Sequence, residues 1–109
     1  MTFELEKAWV TASGLPAAII RVGFAAKHRC GYVGLPEGHP LFNANYEEVD
    51  AEVHGGLTYG AKYATYPMPT TAPTKWFGFD CAHHMDNEDG GRSLNFCIYQ
   101  CESLAEQLK

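Results

Sequence analysis

Basic residues are scarce in this chain: eight Lys plus Arg stand against thirteen Asp plus Glu, a net charge of −5. A phosphate-backbone footprint needs cations gathered on one face, so duplex nucleic acid is not an expected partner. Long apolar runs are also missing. The stretch from Leu15 to Ile20 falls far short of the roughly 20 residues a membrane helix needs, and no membrane association is expected. The start of the chain carries Glu4, Glu6 and Lys7 where a secretory signal would place a basic segment and then an apolar one, which points to the cytoplasm. None of the four cysteines, Cys30, Cys81, Cys97 and Cys101, forms a Cys-x-x-Cys pair, so neither a disulfide framework nor a zinc-finger knuckle is indicated. Also lacking are the P-loop, Gly-x-Gly-x-x-Gly, His-Glu-x-x-His and Gly-x-Ser-x-Gly patterns, which removes the commonest signatures of nucleotide, zinc-protease and serine-hydrolase chemistry.

What is present is a globular composition, 46% hydrophobic and 19% charged over 109 residues, suited to a single domain spanning residues 1–109. Leu94, Cys97, Ile98, Cys101, Ala105 and Leu108 recur at helical spacing and predict a C-terminal helix from about Ser93 to Leu108, with Ser93 as N-cap after the Gly90–Gly91 break. Cys97 and Cys101, at i and i+4, could present two sulfurs to zinc, but they share the apolar stripe and read as buried thiols. Strand signals fill the remainder. Phe3, Leu5 and Trp9 alternate with polar or small residues, and Ser13-Gly14-Leu15-Pro16 turns into the run Ala17 to Val22, so this pair reads as a hairpin. Cys30 to Leu35 is a third strand, Val49 to His54 a fourth by its alternation, Leu57 to Tyr63 a continuation, and Lys75 to Cys81 the last. The expected fold is α+β: a mainly antiparallel sheet of about five to six strands with one C-terminal helix packed on it.

Two segments carry candidate chemistry. In Val53-His54-Gly55-Gly56-Leu57-Thr58-Tyr59, two glycines interrupt a strand pattern beside a histidine. One reading is a turn whose N–H groups face a ligand, with His54 and Thr58 adding side-chain hydrogen bonds; the plainer one is a tight bend with a solvated histidine. In Trp76-Phe77-Gly78-Phe79-Asp80-Cys81-Ala82-His83-His84-Met85-Asp86, strand alternation places Phe77 and Phe79 on the core face and Trp76, Gly78 and Asp80 on the other. An acid thus ends an apolar strand and two histidines follow, an arrangement that can orient an imidazole or share a cation. Its plainer reading is a capped turn with solvated histidines.

The strings Cys30-Gly31-Tyr32-Val33-Gly34-Leu35-Pro36-Glu37-Gly38-His39-Pro40, His54-Gly55-Gly56-Leu57-Thr58-Tyr59 and Trp76-Phe77-Gly78-Phe79-Asp80-Cys81-Ala82-His83 resemble a family of small proteins found in phages, prophages and bacteria. The likeness runs from Cys30 into the C-terminal helix. His84-Met85 stands where Ala-Gly is more usual, while Asp86 keeps to the pattern. A phage setting implies a protein working inside the bacterial host, and by analogy a counter-defence factor that sequesters a host signalling nucleotide. The expected site for a small polar, nucleotide-like ligand comprises His54, Gly55, Gly56, Thr58, Trp76, Asp80, His83 and Asp86. Trp76 or Tyr59 would stack a base and the glycine N–H groups would hold a phosphate.

Two alternatives stand beside it. A metal-dependent hydrolase of such a ligand would use His54, Asp80, His83 or Asp86 as ligands to a water-activating ion. A protein-interaction or inhibitor module would need only an exposed face such as Leu41 to Tyr46, with Phe42 and Tyr46. The sequence leaves the cofactor and any bound metal open, and a homo-oligomer is compatible with all three.

Overall fold

The computed structural model describes residues 2–23, 28–53, 56–62, 66–80 and 94–109. Five strands, β1 (Thr2–Val10), β2 (Pro16–Gly23), β3 (His28–Pro36), β4 (Leu57–Lys62) and β5 (Thr74–Asp80), precede one helix, α1 (Leu94–Leu108). The strands form one antiparallel sheet in the order β1-β2-β3-β5-β4. This is the expected α+β architecture. After β3 the chain crosses to the far edge to lay down β4, then returns to insert β5 beside β3.

The β1–β2 hairpin closes over Thr11, a buried side chain whose hydroxyl donates to the Leu15 carbonyl at 2.8 Å. Gly14 takes a left-handed φ of +92° in that turn, a conformation suited to glycine. The regular alternation expected of β1 does not hold, because the register shifts between Leu5 and Lys7. The extra residue at Glu6 is a bulge that moves the side-chain phase by one position. Leu5 therefore shares the face of its partner Ile20, while Trp9 shares that of Ala17.

Helix α1 covers one face of the sheet. Cys97, Cys101, Leu104, Ala105 and Leu108 are buried against Ala17, Ile19, Val33, Leu35, Phe77 and Phe79. The approach is close because Gly31 sits beneath: a β-carbon there would lie 2.4 Å from the Phe79 ring and 2.9 Å from Cys101 Sγ. Glu102 fixes the helix to the hairpin by accepting from Trp9 Nε1 at 2.8 Å and the Ala12 N–H at 3.0 Å. At the other end, His39 Nδ1 accepts from the Leu41 N–H, so Nε2 carries the proton and donates to the last-turn carbonyl of Leu108 at 2.6 Å. His39, prominent in the sequence, is thus a helix C-terminal clamp.

The fourth strand expected over Val49 to His54 is absent over its described part. Residues 49–53 have no strand partner and follow a 3₁₀ turn at Tyr46–Glu48. Their alternation is nevertheless obeyed: Val49, Ala51 and Val53 pack on the helix-side core. The backbone is satisfied instead by Gln107 of α1, whose amide accepts from the Glu52 N–H and donates to the Glu52 carbonyl, both at 2.7 Å. A side-chain amide replaces one rung of a ladder.

The opposite face carries a second, smaller cluster. Ile20, Cys30, Tyr32 and Trp76 are buried there under Tyr59, Tyr66 and Met68. Gly78 makes room for Tyr32, whose ring lies 2.5 Å from where a β-carbon would stand. The two alternating sets of β5 therefore serve two cores.

Candidate functional site

Pairing of β3 with β5 sets Cys30 opposite Asp80, Tyr32 opposite Gly78 and Gly34 opposite Trp76. Asp80 consequently lies on the face away from Phe77 and Phe79, as strand alternation predicts. His28, two residues before Cys30 on β3, projects from that same face. Its Nε2 lies 3.8 Å from Asp80 Oδ1, with the His28 side chain 23% and the Asp80 side chain 37% exposed. His28, Cys30 and Asp80 each offer one donor atom, and these atoms lie within 4.8 Å of one another. Arg29, between the histidine and the cysteine, points to the helix side, where its guanidinium donates from Nε at 2.7 Å and Nη2 at 3.0 Å to the Glu6 carboxylate. That fork holds the Glu6 carboxyl below its usual range.

Beyond Cys30 the site gives way to tyrosines. Tyr32, Tyr59 and Tyr66 meet edge to face at centroid separations of 5.3, 5.5 and 6.0 Å. The hydroxyls of Tyr32 and Tyr66 share a hydrogen bond of 2.7 Å. Burial, then the bond to Tyr66, pushes the Tyr32 phenol far above its ordinary value, and burial raises Tyr66 as well. Both are neutral hydroxyls at physiological pH and supply no charge to the sheet end.

Register also brings the start of β4 here. Leu57 pairs with Phe79, which puts Gly56 level with Asp80. Gly56 has φ +81°, but its N–H already donates to the Val53 carbonyl at 2.8 Å, closing a turn. That N–H is thus engaged in the turn, while Gly55, the other half of the expected phosphate cradle, lies outside the described residues. Thr58 sits exposed at the register shift between Leu57 and Tyr59. His54, Gly55, His83 and Asp86, with His84, lie outside the described residues.

Trp76 is not part of this site, although the sequence placed it there. It shares the face of Asp80 but is four residues away, about 13 Å along the strand. Its side chain has no exposed surface. Nε1 has no hydrogen-bond partner among the described residues. The indole is a core element of the second cluster and is not presented for stacking. Tyr59 is engaged in the tyrosine cluster. The face expected at Leu41 to Tyr46 is only partly open, with Asn43 and Asn45 exposed. Phe42 is buried with the Lys62 ammonium over its ring, while Leu41, Ala44 and Tyr46 pack on the helix-side core.

Sequence reasoning missed His28 and Cys30. Their signal was the i, i+2 spacing, which aligns two potential ligands on one strand face; their partner Asp80, fifty residues on, is supplied by sheet register alone. No family model, curated protein or solved structure matches the chain.

Proposed function

We propose that this protein binds a small polar ligand at the sheet end where the start of β3, the end of β5 and the start of β4 meet. The observation carrying this reading is the convergence of His28, Cys30 and Asp80 on one face, with His28 and Asp80 partly exposed at the mouth and Cys30 buried behind them beside an aromatic cluster. Such a place offers a few convergent polar groups on rigid strands with an apolar floor, the usual composition of a ligand site. The ligand class is nucleotide-like, and the role is sequestration of a host signalling nucleotide inside the bacterial cell by a phage-type counter-defence protein. That part rests on the resemblance to the phage family. Recognition works through Asp80 and its histidine neighbour, with no contribution from Trp76.

The test is a thermal-shift and calorimetric screen of mono-, di- and cyclic nucleotides against wild type and Asp80→Asn. Wild type is expected to bind at least one member, and the variant to lose that binding while its melting temperature stays close to wild type. Absence of binding across the panel, or unchanged affinity in Asp80→Asn, refutes the reading.

A further inference from the structure

From the same cluster we infer that His28 Nε2, Cys30 Sγ and an Asp80 carboxylate oxygen form a divalent metal site of the zinc class with one open coordination position. A tetrahedral ion bonded at about 2.0–2.3 Å holds its ligand atoms about 3.3–3.8 Å apart. For a nitrogen and an oxygen ligand the edge is about 3.3–3.6 Å; the 3.8 Å between His28 Nε2 and Asp80 Oδ1 lies a few tenths of an ångström outside it and is too long for a direct hydrogen bond between the two. No donor pair in the triad exceeds 4.8 Å, so side-chain rotations at partly exposed His28 and Asp80 bring all three onto one ion. The backbone need not move, because Cys30 and Asp80 are register partners in adjacent strands.

The donor set selects the metal. Imidazole and thiolate favour zinc and its transition-metal neighbours over magnesium and calcium, which require oxygen donors. Cys30 differs in this respect from Cys97 and Cys101, which lie on the opposite face of the sheet in an all-apolar core. Three protein ligands leave a fourth position of the kind that zinc sites keep for water or substrate. The inference deepens the proposed function: the open position takes an anionic oxygen of the bound ligand, and the ion supplies positive charge for it on a chain of net charge −5.

Tag-free protein titrated with cobalt(II), then zinc, tests the site. Expected are one equivalent of cobalt, a near-ultraviolet thiolate-to-cobalt absorption, its loss in Cys30→Ser and its retention in Cys97→Ser. His28→Gln and Asp80→Asn should each weaken zinc by at least about tenfold, the scale on which even outer-shell partners act. Zinc should raise the melting temperature of wild type and a chelator should reverse the rise. Should Cys30→Ser not fold, His28→Gln at its partly exposed position carries the comparison alone. A cobalt band that survives in Cys30→Ser, or wild type that takes up no metal, overturns the site. Zinc uptake without binding of any nucleotide supports the site and refutes the ligand reading. Nucleotide binding by chelator-treated protein that takes up no zinc does the reverse.

Discussion

Replacing Gly31 with alanine adds a single methyl at the tightest point of the fold. On the native backbone that carbon would lie 2.4 and 2.5 Å from two atoms of the Phe79 ring and 2.9 Å from Cys101 Sγ. Carbon atoms pack at about 3.5–4.0 Å, so the ring must retreat by about 1 Å, yet Phe79 and Cys101 have essentially no exposed surface to retreat into. Overpacking costs about 1–3 kcal/mol, here toward the upper end, since the methyl is caught between sheet and helix. Removing a glycine from a strand returns about 0.5–1 kcal/mol of chain entropy. The net expectation is a loss of about 2 kcal/mol, or a melting temperature lower by about 8 °C for a domain of this size. Urea unfolding followed by tryptophan fluorescence and circular dichroism measures it. Trimming the ring in Gly31→Ala/Phe79→Leu should recover part of the loss through a coupling of at least about 0.5 kcal/mol. A Gly31→Ala protein as stable as wild type, or a cycle with no coupling, would refute the account of how α1 docks.

Leu104→Asp, at a helix position with no exposed surface, buries an unpaired charge and is expected to abolish cooperative folding, whereas Ile98→Asp at the half-buried margin of the stripe should cost less. Far-ultraviolet circular dichroism during urea titration distinguishes the two, and equal effects would show the stripe to be misplaced. Glu6→Gln should lose about 0.5–1 kcal/mol at pH 7. Because the folded carboxyl titrates below its ordinary value of 4.5, the contribution of its pair with Arg29 is complete above that pH and disappears as pH falls through the folded value. Stability curves of the two proteins should therefore converge in acid; a gap that persists at about pH 3 would mean that the effect is not the ion pair.

How much of this was legible in the sequence follows from the range of the interactions. Helix α1 was readable because its stripe repeats locally, and β2, β3 and β5 because β-branched and aromatic residues cluster between Gly and Pro breaks. Residues 49–53 misled for a physical reason: a period of two reports an extended chain with one buried side, and says nothing about what satisfies the backbone. Here Gln107 of α1 does so, and only the tertiary fold places that residue. The bulge at Glu6 was equally hidden, since the composition of β1 looks the same in either phase.

The candidate site sits at the limit of that legibility. Asp80 stood out because a charge ended an apolar strand, and alternation alone assigned its face. Trp76 shared the face and so looked equally available. What divides them is depth along β5: near Tyr32 and Gly78 the face is roofed by Tyr66 and Met68, whereas at the strand end the side chains of Asp80 and His28 emerge. Strand period fixes the face on which a residue lies, and the covering segment decides whether that face is core or surface. A site built from β3 and β5 depends further on register, where a one-residue slip would turn Cys30 away from Asp80 and into the helix-side core. The glycines oppose that slip. Gly31 lies beneath Phe79 on one face and Gly78 beneath Tyr32 on the other, so each large ring has a single vacant position across the strand pair. The packing that holds the two cores apart thus also holds His28, Cys30 and Asp80 together.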